Sequence, residues 1–291
     1  MTEATQVLAS RNRLGEGPIW NSQEQKLYWV DILDGTFLRW RPGSDAHELF
    51  HIGTPIGVMA FRASGGLIMA TKKGFATWDE QTQQLEVIAN PIADKEHMRF
   101  NDGAVDCAGR FWAGTMSMNT ESSKEGVLYR LDPDRSVHVM ETGVSVSNGI
   151  GWSPDNTIMY FTDSPQRAIY AYDFDAATGA IANRRIFVHL QDGNAVPDGL
   201  AVDSEGYIWS ACWDGAKINR YAPDGQIEQV IQVPALRTTS CVFGGLELNE
   251  LYITSAWNGL DGETLERYPF SGDIFKLRTD VKGLEKFAFA G

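Results

Sequence analysis

Four residues of this chain recur at one place in an internal pattern and could do oxygen-ligand chemistry: Glu16, Asn101, Asn148 and Asp198. Each stands 11 or 12 residues before the bulky centre of a short apolar run, namely Tyr28, Trp112, Tyr160 and Trp209. Three are followed directly by glycine, and in Asn101-Asp102-Gly103 one residue intervenes. Carboxylates and carboxamides offer only oxygen, the donor that suits hard divalent cations such as Ca2+, Mg2+ or Mn2+. Two ionised carboxylates carry the charge that one such cation cancels. A set of three protein ligands leaves positions for water and substrate, as a catalytic metal requires. Without a metal, the paired carboxylates could still do acid–base work. Taken singly, Asn-Gly and Asp-Gly also read as hairpin turns; recurrence at one offset is what favours a ring of side chains on a common axis.

Competing chemistries lack their residues. His47, His51, His97, His138 and His189 show no HxH spacing, and the one HExxH string, His47-Glu48-Leu49-Phe50-His51, falls in no segment of helical periodicity, so an imidazole zinc site is not supported, although zinc can occupy oxygen sites. There is no GxSxG elbow, no GxxxxGK[ST] phosphate loop and no GxGxxG. Cys107, Cys212 and Cys241 are few, odd in number and far apart, and read as reduced thiols in a cytoplasmic protein.

The elements that must position the four residues are strands. Short runs rich in aromatic and β-branched residues recur with anchors at Tyr28, Ile68, Trp112, Tyr160, Trp209 and Tyr252, spaced by 40, 44, 48, 49 and 43 residues. A turn signal precedes each run, one strand-like segment comes before it and another follows. Only parts of 79–97 are ambiguous. Six antiparallel units of about 45 residues predict an all-β fold, a six-bladed β-propeller of four-stranded blades spanning 1–291 as a single domain. Its closure is expected to pair the N-terminal residues with the last blade. In such a ring the first strand of each blade lines the channel, which puts Glu16, Ile56–Gly57, Asn101, Asn148, Asp198 and Ser240–Cys241 on the axis.

Composition limits the partners. With 25 Lys+Arg against 38 Asp+Glu the formal net charge is −13, which argues against nucleic acid and against an anionic membrane surface. The first 17 residues hold no apolar run of signal-peptide length, and no stretch reaches membrane-helix length; cytoplasmic location is the expectation. A monomer or weak homo-oligomer is expected, with Trp40, Trp78 and Trp257 as candidates for blade packing or an interface.

At these residues the chain resembles the SMP-30/gluconolactonase/regucalcin-like family of metal-dependent sugar lactonases with six-bladed propellers. The motifs that carry the resemblance are LGEGPIW (14–20), RFNDGAVD (99–106), GRFWAGTM (109–116), SNGIGWS (147–153), YFTDS (160–164), TGAIANRR (178–185), VPDGLAVDSEGYIW (196–209) and TTSCVFGG (238–245). The resemblance implies metal ligands at Glu16, Asn148 and Asp198, with Asp198 also the candidate general base. It implies substrate contacts at Arg99 and Asn101. Some members place an acidic sugar-contacting residue after the GTM motif; the aligned position here is Asn119, with Glu121 two residues on, in a loop-like segment (117–125). The implied cofactor is one divalent ion (Ca, Mg, Mn, Zn or Fe). The implied reaction is hydrolysis of a small-molecule sugar lactone to its aldonic acid, in cytoplasmic sugar oxidation. Two other readings stay open: a non-catalytic ion-binding propeller, and an esterase or phosphotriesterase working through the same metal.

Overall fold

The computed structural model describes residues 2–121, 123–191 and 193–291. Six antiparallel sheets follow one another along the chain, each running from an inner strand outward. The inner strands are Gly15–Asn21, Ile56–Phe61, Met98–Val105, Ser147–Trp152, Val196–Val202 and Arg237–Gly244. Each packs against the next, and the sixth packs against the first, so the ring closes into a β-propeller. The apolar runs read from the sequence form the second strand of every blade, for example Lys26–Asp31 and Ile158–Asp163.

Closure uses the N-terminus twice. Thr5–Leu8 completes the sixth blade by antiparallel pairing with Ile274–Arg278, as the sequence leads one to expect. Thr2–Glu3 adds a fifth, parallel strand to the fifth blade, against Ile227–Gln232. The strand Gln84–Ala89 settles the ambiguous segment as the edge of the second blade. A short exposed helix, Gly262–Arg267, follows the second strand of the sixth blade and is capped by the Asp261 carboxylate, which accepts the Thr264 N–H at 2.8 Å. Six residues cannot display a helical period, so the pattern of apolar residues gives no sign of it.

The core lies between blades, not within one central mass. The six principal apolar clusters fall one at each blade–blade interface. Each repeat anchor enters a different one: Tyr28 between blades 1 and 2, Ile68 between 2 and 3, Trp112 between 3 and 4, Tyr160 between 4 and 5, Trp209 between 5 and 6, and Tyr252 between 6 and 1. Each such burial contributes about 1.5–3 kcal/mol, and neighbouring blades supply the two walls that no blade has alone. Trp40 and Trp78 are blade packing of this kind, whereas Trp257 is exposed.

Candidate active site

The four axial residues sit in the first half of their inner strands, and each inner strand breaks register there. The ladders shift between Glu16 and Ile19, Phe100 and Gly103, Asn148 and Ile150, and Pro197 and Leu200. The second and sixth blades shift at the equivalent points, Ile56/Val58 and Thr238/Cys241. The dipeptides are therefore bulges inside strands, not hairpin turns. A bulge re-aims the side chain it carries. The glycines answer a second need. A Cβ on Gly149 would stand 2.7 Å from the Asp198 carbonyl oxygen, and one on Gly57 would stand 2.4 Å from that of Asn101. The inner strands converge too closely for a side chain there.

Glu16, Arg99, Asn101, Asn148 and Asp198 line one cavity of about 790 Å3, and all five are more than nine-tenths buried. A hydrogen-bonded line connects them. The Arg99 guanidinium donates to Asn101 Oδ1 at 2.6 Å, and Asn101 Nδ2 donates to Asn148 Oδ1 at 2.9 Å and to the Ser147 carbonyl at 2.8 Å. Asn148 Nδ2 donates to Ser164 Oγ at 2.8 Å, and that hydroxyl donates to the Pro197 carbonyl at 2.7 Å. This chain fixes the amide of Asn148, its oxygen accepting from Asn101 and its nitrogen donating to Ser164. The strand period of two places Leu14, Arg99, Val146 and Val196, each two residues before an axial residue, in the same cavity. A polar floor thus carries a collar of three aliphatic side chains and one cation.

The floor is charged and short of positive partners. Glu16 accepts the Gly17 N–H at 2.8 Å, and Asp198 takes that of Gly199. Burial lifts the Glu16 carboxyl to about 8, with the Asp102 carboxylate pushing the same way. Burial, then Glu16 and then Asp102, hold Asp198 well above the usual carboxylate range. Arg99 is pulled down by burial to about 10 against the attraction of Glu16, Glu121 and Asp198. Two carboxylates buried in one cavity, both held above their ordinary range, are a place where a cation is held favourably. The donor set is two carboxylates and the oriented Asn148 amide oxygen, which fits a hard divalent ion. Among the described residues no three His, Cys, Asp or Glu side chains gather as a metal cluster, so beside the two carboxylates the further oxygen donors in this cavity are amide oxygens such as that of Asn148.

The loop after the third blade's second strand places its residues unevenly. Asn119 is exposed and lies outside the cavity lining, whereas Thr120 and Glu121 line it. Ser122 lies outside the described residues. Ser164 and Trp213 join the site without having been singled out in the sequence. Ser164 ends the YFTDS motif, which was a usable signal; Trp213 follows the fifth anchor run and gave none. None of the five histidines lines the cavity.

Comparison with known proteins agrees with this architecture. Residues 14–257 match the model of the family described as SMP-30/Gluconolactonase/LRE-like region. Regucalcin of Gallus gallus is 38% identical over 291 residues, covering 98% of this chain and 97% of that protein. The crystal structure of a calcium-binding protein, regucalcin, from Agrobacterium tumefaciens superposes with a TM-score of 0.95 at 26% identity, over 100% of this chain and 98% of that one. A gluconolactonase from Xanthomonas campestris shares the fold at a TM-score of 0.76 and 23% identity, over 94% of this chain and 88% of that one.

Proposed function

The chain belongs to the SMP-30/gluconolactonase/LRE-like family, and on that premise we propose that it hydrolyses a sugar lactone to the aldonic acid with the help of one divalent cation. The observation that carries the reading is the convergence of Glu16, Asn148 and Asp198 with Arg99 and Asn101 on the floor of one cavity. A cation held by Glu16, Asn148 and Asp198 would supply Lewis acidity to the lactone carbonyl or the attacking water.

The residues themselves do the rest. Asp198, ionised when the cation is in place, accepts a proton from the attacking water as its oxygen bonds to the carbonyl carbon. The bond from that carbon to the ring oxygen then breaks, and the ring oxygen leaves as a hydroxyl by taking the proton that Asp198 had accepted, which returns Asp198 to its carboxylate. Arg99 remains charged at neutral pH and is fixed by Asn101, so it can stabilise negative charge developing on the carbonyl or ring oxygen. Asn101 has committed both N–H bonds, and its second Oδ1 lone pair is left to orient a substrate hydroxyl. Glu121, at the rim, takes the hydroxyl-binding role in place of Asn119. The Leu14, Val146 and Val196 collar meets the C–H face of the ring.

The test is acid release from a panel of γ- and δ-lactones by chelator-stripped protein, restored with Ca2+, Mg2+, Mn2+, Zn2+ or Fe2+ in turn. Cation-restored hydrolysis of a sugar lactone is the expected result. Cation binding with no hydrolysis of any lactone would instead favour a calcium-binding protein, the description carried by the Agrobacterium relative.

A further inference from the structure

The residue that faces the approach to each axial position, across the first ladder, can be compared around the ring. It is Asp31 opposite Gly15, Thr71 opposite Ile56, Thr115 opposite Phe100, Asp163 opposite Ser147, Cys212 opposite Pro197, and Ser255 opposite Thr238. In four blades the side chain turns to a carbonyl within its own blade: Thr71 to Gly74, Thr115 to Val127, Cys212 to Ser210 and Ser255 to Asp273. Thr71, Thr115 and Ser255 also accept a backbone N–H, of Lys73, Val127 and Gly272, in the hairpin that follows; the two carboxylates reach instead into the segment ahead of their inner strand. Asp31 accepts the N–H of Arg13 at 2.6 Å and of Leu14 at 3.1 Å. Asp163 accepts the N–H of Ser145 at 3.0 Å and of Val146 at 3.2 Å. Each clamp is closed in return, since Ile32 N–H donates to the Leu14 carbonyl and Ser164 N–H to that of Val146.

Both carboxylates are almost fully buried, at 3% and 2% exposure. A buried carboxylate is costly unless its oxygens are satisfied, so a carboxylate where four other blades manage with a hydroxyl or thiol calls for a reason. The two clamped segments run straight into Glu16 and Asn148. The third ligand position, Asp198, lacks the clamp but follows Pro197, whose ring fixes the backbone.

We propose that Asp31 and Asp163 are matched positioning residues, each pinning the segment that delivers one side chain, Glu16 or Asn148, to the cation. The proposal rests on the reading of Glu16 and Asn148 as ligands. Asparagine in place of either aspartate keeps one acceptor oxygen and sets an N–H2 group against the second backbone N–H.

The test compares Asp31→Asn and Asp163→Asn with Asp203→Asn, a buried aspartate at the other end of the fifth blade. Calorimetric titration with Ca2+ and with Mn2+ should show affinity lower by about 10- to 100-fold in the first two and unchanged in the third. Deuterium exchange in cation-free protein should quicken at 13–17 in Asp31→Asn and at 145–149 in Asp163→Asn, and at neither segment in Asp203→Asn. Unchanged exchange at those segments, or an affinity loss shared equally by Asp203→Asn, overturns the proposal. If the unaltered protein binds neither ion, the ligand reading fails by itself and exchange alone decides the clamps. If one clamp variant does not fold, the other carries the test, because the two clamps share no residue.

Discussion

The two ends of the inner strands bury the same kind of group and treat it in opposite ways. At the far end Asp106 and Asp203 have no exposed surface. Asp106 accepts the N–H groups of Ala108 and Arg110, the Trp112 indole N–H at 2.8 Å and the Arg110 Nε–H at 2.6 Å. Asp203 repeats the arrangement with Glu205, Tyr207, the Trp209 indole at 2.9 Å and Arg220 at 2.8 Å. Every oxygen has partners, and an arginine matches the charge. At the near end Glu16 and Asp198 each hold the N–H of the next residue, and burial raises the proton affinity of both. Matched carboxylates tie hairpins to the repeat anchors; unmatched ones leave charge for something that arrives from outside. Burial alone does not separate structure from function, but the partners of the buried group do.

The comparison breaks first at Asp198. Asp198→Asn should lower lactone turnover by about 10^2- to 10^4-fold while the far-ultraviolet circular dichroism stays that of the folded protein. Near-normal turnover would remove Asp198 from the base role. The converse change at the far end is Asp203→Ala, which strands Arg220 and the Trp209 indole. It should cost about 3–5 kcal/mol in urea unfolding and leave the turnover of the folded fraction intact.

A cation should sharpen the contrast. At a free concentration of 100 times its Kd it stabilises the fold by about 2.7 kcal/mol. In chelator, the native Glu16 carboxyl at about 8 keeps a proton that the unfolded chain has released near its ordinary 4.5. The native state then binds more protons, so stability should fall as pH rises from about 4.5 to about 8. Cation affinity should rise over the same interval, because the ligands must ionise. Thermal melts with and without cation across that range measure both slopes. The smallest effect is expected at the rim: Glu121→Gln, which keeps an acceptor oxygen, should raise KM by roughly 3- to 10-fold, about 0.6–1.4 kcal/mol, the range of an ordinary hydrogen bond, and Asn119→Ala should leave it within error.

Much of this division is visible in the amino-acid order. The anchors from Tyr28 to Tyr252 mark the blade interfaces because large apolar side chains at a fixed interval have few other uses. Counting back from them reaches Glu16, Asn101, Asn148 and Asp198, because a bulge at a constant depth in each inner strand keeps the interval constant. Where a role depends on a backbone partner, the count fails. Asp31 and Asp163 stand 15 residues after Glu16 and Asn148 respectively, and both end an apolar run as an unremarked polar residue. What they hold is an N–H group, and backbone groups carry no sequence label. The rim resists the count for another reason: a loop has no ladder to set its register, so the fold alone decides that Glu121 and not Asn119 lines the cavity.

The double use of the N-terminus has a consequence in time. Thr5 pairs with Lys276 across 271 residues, so a strand made ahead of the first blade finds its place only after the last blade has been made. During synthesis blades one to four can stack as they emerge, while the nascent ring stands open with an unpaired edge on each side. Only when residues 227–232 and 274–278 have been made can the opening residues bridge the gap. A circular permutant that begins at the linker before blade 2 would move this seam, and its refolding yield against that of the parent would show how much of the assembly waits on those few residues.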